Sequence, residues 1–420
     1  MPIIREFGRL TTEPVSPSLD QASISASAFH WLAEHATRRE AGAAIISLET
    51  SRVLRVLNYV GVIDTPCGTR IEILPKHTEE AGSIGDARGL LVSMVIEALR
   101  LKPRTGTISQ IARFKLPLPE WLAARFLEEA SELIRRGLRQ AYRQIDAREP
   151  FLRGSLDVAR QVRSGPGTAH LFNFRQDVFT FNRPENRLIR SSVELVLRST
   201  RSSDTWRAAR ELSAILDDVP ESREIAADFV RWGEDRLMAD YAPIRPLCEL
   251  LLLRQAPFAI AGRDSGLSML FPMERLFETY VVASLRRVAP PGFEIRAQAG
   301  DLHLCRHQGS NWFRMRPDIL VQHGVCRWII DAKWKLLNGD RSAGYGLNQA
   351  DFYQLHAYGQ SYLEGAGDMF LVYPQTTAFG GPLPPFSLSE GLKLHVLPFD
   401  LTTRSADYSF LSNGTFPQAG

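Results

Sequence analysis

Four cysteines in 420 residues, Cys67, Cys248, Cys305 and Cys326, show no paired spacing, which argues against a disulfide framework and a zinc ribbon. No run approaches the roughly eighteen apolar residues of a membrane span. The start, Met1-Pro2-Ile3-Ile4-Arg5-Glu6, lacks the basic-then-apolar order of a secretory leader. A cytoplasmic protein with no membrane association is expected. Neither GxGxxG nor GxxxxGK[ST] occurs, so the chain is not expected to hydrolyse NTP itself, and any motor must be a partner. Lysine is scarce: Lys76, Lys102, Lys115, Lys333, Lys335 and Lys393 stand among 50 lysines and arginines. Where such a chain does place a lysine, it selects a compact ammonium over a guanidinium fork.

What is present is ordinary for a folded protein, with 44% hydrophobic and 23% charged residues. The length suggests two or three domains. A net charge of +3 and a pI near 8.7 are compatible with nucleic acid without demanding it. Patterning predicts an α+β, mixed α/β protein in three regions: a β-rich N-terminal module over 1–110, a mainly helical middle over 111–265, and a mixed α/β core over 266–420. In the first, 25–39 has helical spacing, while 53–59 and 71–74 have strand composition around a Pro- and Gly-bearing turn at 65–69. Helical spacing recurs over 84–101 and 119–148. The second of these carries Arg125, Arg135, Arg136, Arg139 and Arg143 with Glu128, Glu129 and Glu132, the pattern of a salt-bridged face. Asn182 with Pro184 and Glu185 reads as the start of a helix capped by Asn182. Further helix is expected over 204–216, 225–241 and 243–253, with turn residues around 262–272.

The chemistry is concentrated in Arg316-Pro317-Asp318-Ile319-Leu320-Val321 and Trp328-Ile329-Ile330-Asp331-Ala332-Lys333-Trp334-Lys335. Both are short β-type apolar runs, and Gln322-His323-Gly324 between them predicts a hairpin. Strand alternation puts Asp331, Lys333 and Lys335 on one side and Ile330, Ala332 and Trp334 on the other. A register that sets Asp318 opposite Asp331 would bring two carboxylates to one hard cation with an amine beside it. Such a set suits metal-assisted phosphodiester hydrolysis. Asp318, Asp331 and the Ala332 carbonyl would be the oxygen ligands for Mg2+, and Lys333 would position water or neutralise developing charge.

Other residues are candidates for support. Glu274 and Glu278 lie one turn apart on a helix expected over 273–287, and Glu278 is the preferred extra carboxylate. Gln354 and Tyr358 share a face of a helix over 349–363. Residues 341–347 form a polar, glycine-containing loop, and 369–374 and 392–397 read as buried strands. His303, Cys305 and His307 alternate on one strand face but lack an evident fourth ligand for zinc.

Pro317-Asp318, Asp331-Ala332-Lys333 and Asp351-Phe352-Tyr353-Gln354-Leu355-His356-Ala357-Tyr358 together resemble the PD-(D/E)xK nuclease fold as found in the McrC family. Tyr59-Val60-Gly61-Val62-Ile63 with Ile71-Glu72-Ile73-Leu74-Pro75-Lys76 resembles that family's N-terminal module. Gly154-Ser155-Leu156-Asp157 and Asn182-Arg183-Pro184-Glu185-Asn186-Arg187 are similar to its middle segment. The resemblance implies a Mg2+-dependent endonuclease subunit of a modification-dependent (5-methylcytosine) restriction system. Its partners would be double-stranded DNA and an McrB-like AAA+ GTPase hexamer, which the N-terminal part contacts and stimulates. It implies metal binding by Asp318 and Asp331, assistance of the water by Lys333, and support of the site or the DNA backbone by Gln354 and Tyr358; beside it, Glu278 and Gln354 are expected among the catalytic residues and Arg316 and Lys335 among those that support DNA binding. A self-sufficient repair or defence nuclease and a non-catalytic adaptor of an NTPase ring are the alternatives.

Overall fold

The computed structural model describes residues 1–37, 44–79, 84–101, 116–168, 170–233, 235–253, 269–409 and 411. The chain divides into two compact units, one made of Met1–Leu118 with Phe258–Gly420 and the other of Pro119–Pro257. The expected boundaries at 110/111 and 265/266 lie outside the described residues.

In the first unit a four-stranded sheet has the order Ile3–Arg5, Arg70–Leu74, Tyr59–Asp64, Met269–Pro272. The hairpin expected around 65–69 is present, with Asp64 opposite Arg70. Met269–Pro272 was expected as turn, and it is instead the edge strand of this sheet, antiparallel to Tyr59–Asp64. Gly61 makes that approach possible: a Cβ there would lie 2.0 Å from the Met269 carbonyl oxygen. A second four-stranded sheet, in the order Gln21–Ser23, Arg9–Thr11, Val53–Val56, Ile46–Thr50, lies beside the helix Ala26–Thr37. Ile4, Leu10, Leu54, Val56, Ile71 and Ile73 are fully buried in one shared core.

The same unit contains a six-stranded sheet ordered Glu294–Ala297, Ile319–His323, Cys326–Ala332, Gly367–Pro374, Leu392–Phe399, Phe386–Ser387. Ile319–His323 and Cys326–Ala332 form the expected antiparallel hairpin. The chain then crosses through the helix Gln349–Tyr362 to Gly367–Pro374, which runs parallel to Cys326–Ala332. A parallel return needs such a crossover. Met369 to Tyr373 are all completely buried, as a central parallel strand covered on both faces requires. The helix Met273–Val288 precedes this sheet. His303–His307 and Ser310–Arg314 form a separate two-stranded ribbon.

The second unit corrects several expectations. The helix Leu118–Arg136 does not reach Arg148: Gly137, at φ +99°, ends it, and Ala141–Glu149 is a strand paired over nine positions with Phe172–Thr180. Only part of the expected exposed, salt-bridged face is there: Arg136 lies 2.9 Å from Asp240 and is also paired to Glu132, whereas Arg125, 2.6 Å from Glu129, is largely buried and Arg139 and Arg143 lie beyond the helix. The helix Pro184–Ser199 starts at its proline, but Arg183 is the capping residue and makes no side-chain cap. Asn182 instead accepts a hydrogen bond from Arg187 at 2.7 Å. The expected helix over 225–241 is two pieces, Ile225–Val230 and a 3-10 turn Arg236–Tyr241, on either side of Gly233.

Candidate active site

The hairpin register, Ile319 opposite Ile330, sets Asp318 level with Asp331. Asp331 is 1% exposed, and its Oδ1 has no hydrogen-bond donor. Lys333, on the same strand face, holds Nζ 2.6 Å from Asp331 Oδ2. Burial disfavours the ammonium, but the Asp331 carboxylate outweighs it and keeps Lys333 charged beyond the usual lysine range.

Asp318 is fixed from two sides. Its Oδ2 accepts from the Ala332 N–H at 3.0 Å, and its Oδ1 accepts from Gln298 Nε2 at 3.2 Å. The other contact of that amide is Glu278 Oε2, at 3.1 Å. Burial first, and then the negative charge of Asp331 and Glu278, push the Asp318 carboxyl up to about 8. Glu278 is raised to about 7, mainly by burial, with Arg275 opposing and Asp331 adding to the shift. Asp318, Asp331 and Glu278 therefore share a site against the Lys333 ammonium and, at its edge, the Arg275 guanidinium 3.9 Å from Glu278, still an excess of negative charge.

Gln354 Oε1 lies 3.5 Å from Lys333 Nζ, and Gln354 Nε2 donates to the Tyr358 hydroxyl at 2.8 Å. Tyr358 in turn donates to the Arg316 carbonyl at 3.0 Å. The two helix residues thus link Lys333 to the strand entry beside Asp318. Arg316 contributes this carbonyl, while its side chain is exposed. Lys335 is exposed and donates to the Gly346 carbonyl in the polar loop.

Two neighbours were not among the sequence candidates. Gln298 bridges Glu278 and Asp318 from a position 20 residues away from each. Asp351 lies 3.9 Å from Lys333 Nζ and accepts from the Tyr373 hydroxyl at 3.4 Å. Burial raises its pKa, and Lys333 opposes the shift. Asp351 precedes Gln354 by three residues, so the same-face spacing used for Gln354 and Tyr358 also pointed to it.

The segment after Lys333 is tied to the N-terminal sheet. Glu6 Oε2 accepts from Trp334 Nε1 and from the Lys76 N–H, both at 2.9 Å, and Lys76 Nζ donates to the Trp334 carbonyl at 2.7 Å. Trp334 packs on Phe277, next to Glu278, with ring centroids 5.3 Å apart. Burial lifts Glu6 to about 7 despite Lys76.

Among the described residues, no three His, Cys, Asp or Glu side chains converge closely enough to hold a metal as they stand. Mg2+ asks for less than that, since it is commonly held by one or two carboxylates and keeps several waters. The buried, undonated Asp331 oxygen beside the raised Asp318 fits such a cation. His303, Cys305 and His307 lie along the separate ribbon, with Cys305 and His307 exposed. In the second unit, a cavity of about 490 Å³ opens around Arg187 and Asp228. That pair is closed by contacts of 2.9 and 2.5 Å, so its charges are matched where those around Asp331 are not.

Residues 54–374 match the family described as McrBC 5-methylcytosine restriction system component. A chain of the half-complex from a tetradecameric assembly of Thermococcus gammatolerans McrB AAA+ hexamers with bound McrC superposes with a TM-score of 0.69. It is 16% identical, and the match covers 98% of this chain and 97% of that one. A chain of the Thermococcus gammatolerans McrBC complex gives a TM-score of 0.51 at 19% identity, covering 68% and 87%. No curated protein matches the sequence. Among the described residues, no helix is long and apolar enough to cross a membrane.

Proposed function

This chain belongs to the McrBC 5-methylcytosine restriction system component family, and from that premise we propose that it is the Mg2+-dependent endonuclease subunit, cutting double-stranded DNA in the cytoplasm. The observation that carries the reading is Asp331: completely buried, undonated at Oδ1, level with Asp318 and 2.6 Å from Lys333. A buried carboxylate left this way is costly unless a cation completes it. Asp318 and Asp331, with the Ala332 carbonyl, are the residues that would hold Mg2+, whose chemistry when bound is Lewis-acid polarisation of phosphate and water. Lys333 stays charged and offers its ammonium to the negative charge that develops on phosphorus. Gln354 keeps that ammonium oriented, Tyr358 anchors Gln354, and Glu278 with Asp351 borders the site. Arg316 and Lys335, both exposed, would meet the DNA backbone.

The partner would be an AAA+ GTPase hexamer; the assembly that holds the similar chain contains AAA+ hexamers. Its hydrolysis is stimulated by this chain, and recognition of methylated cytosine resides on the partner. That contact is assigned to the N-terminal part of this chain, as the family resemblance implies. A further surface that suits it is on the second unit, where exposed Tyr142 and Phe179 meet across the paired strands Ala141–Glu149 and Phe172–Thr180 with ring centroids 4.9 Å apart.

The test is cleavage of methylated and unmethylated plasmid with Mg2+, for wild type and Asp331→Ala, with and without the AAA+ partner and GTP. Cutting by wild type only, and only with partner and GTP, is expected. Partner-free cutting that Asp331→Ala abolishes would make the chain a self-sufficient nuclease. GTPase stimulation by both proteins without any cutting would leave only an adaptor.

A further inference from the structure

Residues 302–316 contain three arginines and two histidines, but neither Asp nor Glu. Most of them form the ribbon His303–His307 with Ser310–Arg314, joined through Gln308 and Gly309 at φ +47° and +79°, the two positive values of a type I′ hairpin. Among the described residues the ribbon pairs with no other strand. Apart from half-buried His303, it is exposed along both strands, including Leu304 at 54%, Trp312 at 47% and Phe313 at 66%. A bare two-stranded ribbon is marginally stable in water, so a surface that covers it is to be expected.

Its root is firm. Met315 N–H donates to the Leu302 carbonyl at 2.9 Å, Arg314 Nε donates to the Gly300 carbonyl at 2.6 Å, and the buried Tyr362 hydroxyl lies 3.2 and 3.3 Å from the Ala299 and Met315 carbonyls. The strands leave and re-enter the fold between Gln298 and Asp318, whose backbones are joined at 2.8 Å. The ribbon is therefore a projection of the carboxylate cluster's own backbone. Register and alternation put Cys305, His307, Trp312 and Arg314 on one face and Leu304, Arg306 and Asn311 on the other. His307 and Trp312 meet edge-on at 5.9 Å, and Arg306 Nε donates to Asn311 Oδ1 at 3.2 Å.

We propose that this ribbon enters a groove of duplex DNA beside the acidic site. Arg306 and Arg314 meet backbone phosphates, and Trp312 and Phe313 lie against base or sugar edges. The major groove admits a two-stranded β-ribbon, and cationic side chains of one sign on both faces suit walls of phosphate on both sides. Exposed aromatic side chains supply the apolar contact that groove-binding proteins press against bases. The identity of the neighbouring site as a DNA-cutting centre rests on the function proposed above.

The test measures binding of a labelled duplex to the full chain carrying Asp331→Asn, alone and with its AAA+ partner, across a salt series. Arg306→Ala is expected to flatten the log–log salt dependence by about one, and Trp312→Ala with Phe313→Ala to weaken binding about tenfold, at unchanged thermal unfolding. Unchanged affinity in both folded variants overturns the proposal. Loss of partner binding at unchanged DNA affinity also overturns it, making the ribbon a protein contact. If the wild type cuts no DNA with partner, GTP and Mg2+, yet these variants lose duplex affinity, the nuclease reading fails and the ribbon's role stands.

Discussion

Two groups of buried charge in the first unit differ in how far they are satisfied. In the N-terminal sheet Asp64 meets Arg70 at 2.7 and 2.9 Å, with both side chains about 5% exposed, and Glu72 meets Arg88 at 2.6 and 2.7 Å. Each carboxylate there has a two-pronged guanidinium partner. Around Asp331, the carboxyl groups of Asp318, Glu278 and Asp351 crowd the Lys333 ammonium, with the Arg275 guanidinium at the edge 3.9 Å from Glu278, and two of the carboxyls are raised to about 7 and 8. Matched burial supports a fold, whereas unmatched burial needs a ligand.

The largest effect that could break this contrast is on cutting. Asp331→Asn is expected to lower the cleavage rate by roughly a thousandfold, while the folded chain is retained or slightly stabilised, as steady-state kinetics and a thermal melt would show. An unimpaired rate would place Asp331 with the structural pairs.

The reciprocal change is Asp64→Asn, which removes the carboxylate charge that Arg70 faces in the core. It should cost about 3 kcal/mol of stability in urea unfolding without lowering the cleavage rate per folded molecule.

The pH dependence of the metal-free chain sharpens the comparison further. The Asp318 carboxyl, facing Asp331, Glu278, Lys333 and the Ala332 N–H, titrates near 8 when folded and near 4 when unfolded. The folded state therefore binds the extra proton between those values. Stability should fall as pH rises from about 4 to about 8, by up to about 5 kcal/mol, and level off above. Glu278, raised to about 7, acts in the same direction. Denaturation in EDTA should show this slope, and Asp318→Asn or added Mg2+ should flatten it; a flat profile in EDTA would contradict the frustrated cluster.

Smaller effects are expected from the supports. Gln354→Ala should lower kcat about tenfold with KM unchanged. Trp334→Phe keeps the ring against Phe277 but removes the donor to Glu6, for about 1 kcal/mol of stability. A raised KM at unchanged kcat in the first would assign Gln354 to substrate binding rather than to Lys333.

Much of the site was legible because its grammar is local. Asp331 and Lys333 are two apart, and a turn at Gly324 sets the register that levels Asp318 with Asp331. Gln298 was not legible, since it reaches Asp318 only across the excursion of the ribbon. In the second unit, Leu138 and Tyr142 continue a four-residue spacing by coincidence, and Gly137 was the breaker that outweighed it. Met269–Pro272 looked like turn because a four-residue apolar run means little until Tyr59–Asp64 lies beside it.

By itself, then, the sequence determined the hairpin, the pairing of carboxylate with lysine on one strand face, the crossover helix and the family resemblance. The first three follow from periodicity and spacing within a few tens of residues, whereas the resemblance rests on motifs matched along most of the chain. Tertiary structure alone decided that Asp331 would be buried with one oxygen undonated, that Glu278 and Asp318 would share Gln298, and that Glu6 and Lys76 would grip Trp334. Those outcomes depend on which distant groups displace water from a charge, and burial of that kind is a property of the packed chain rather than of any stretch of it.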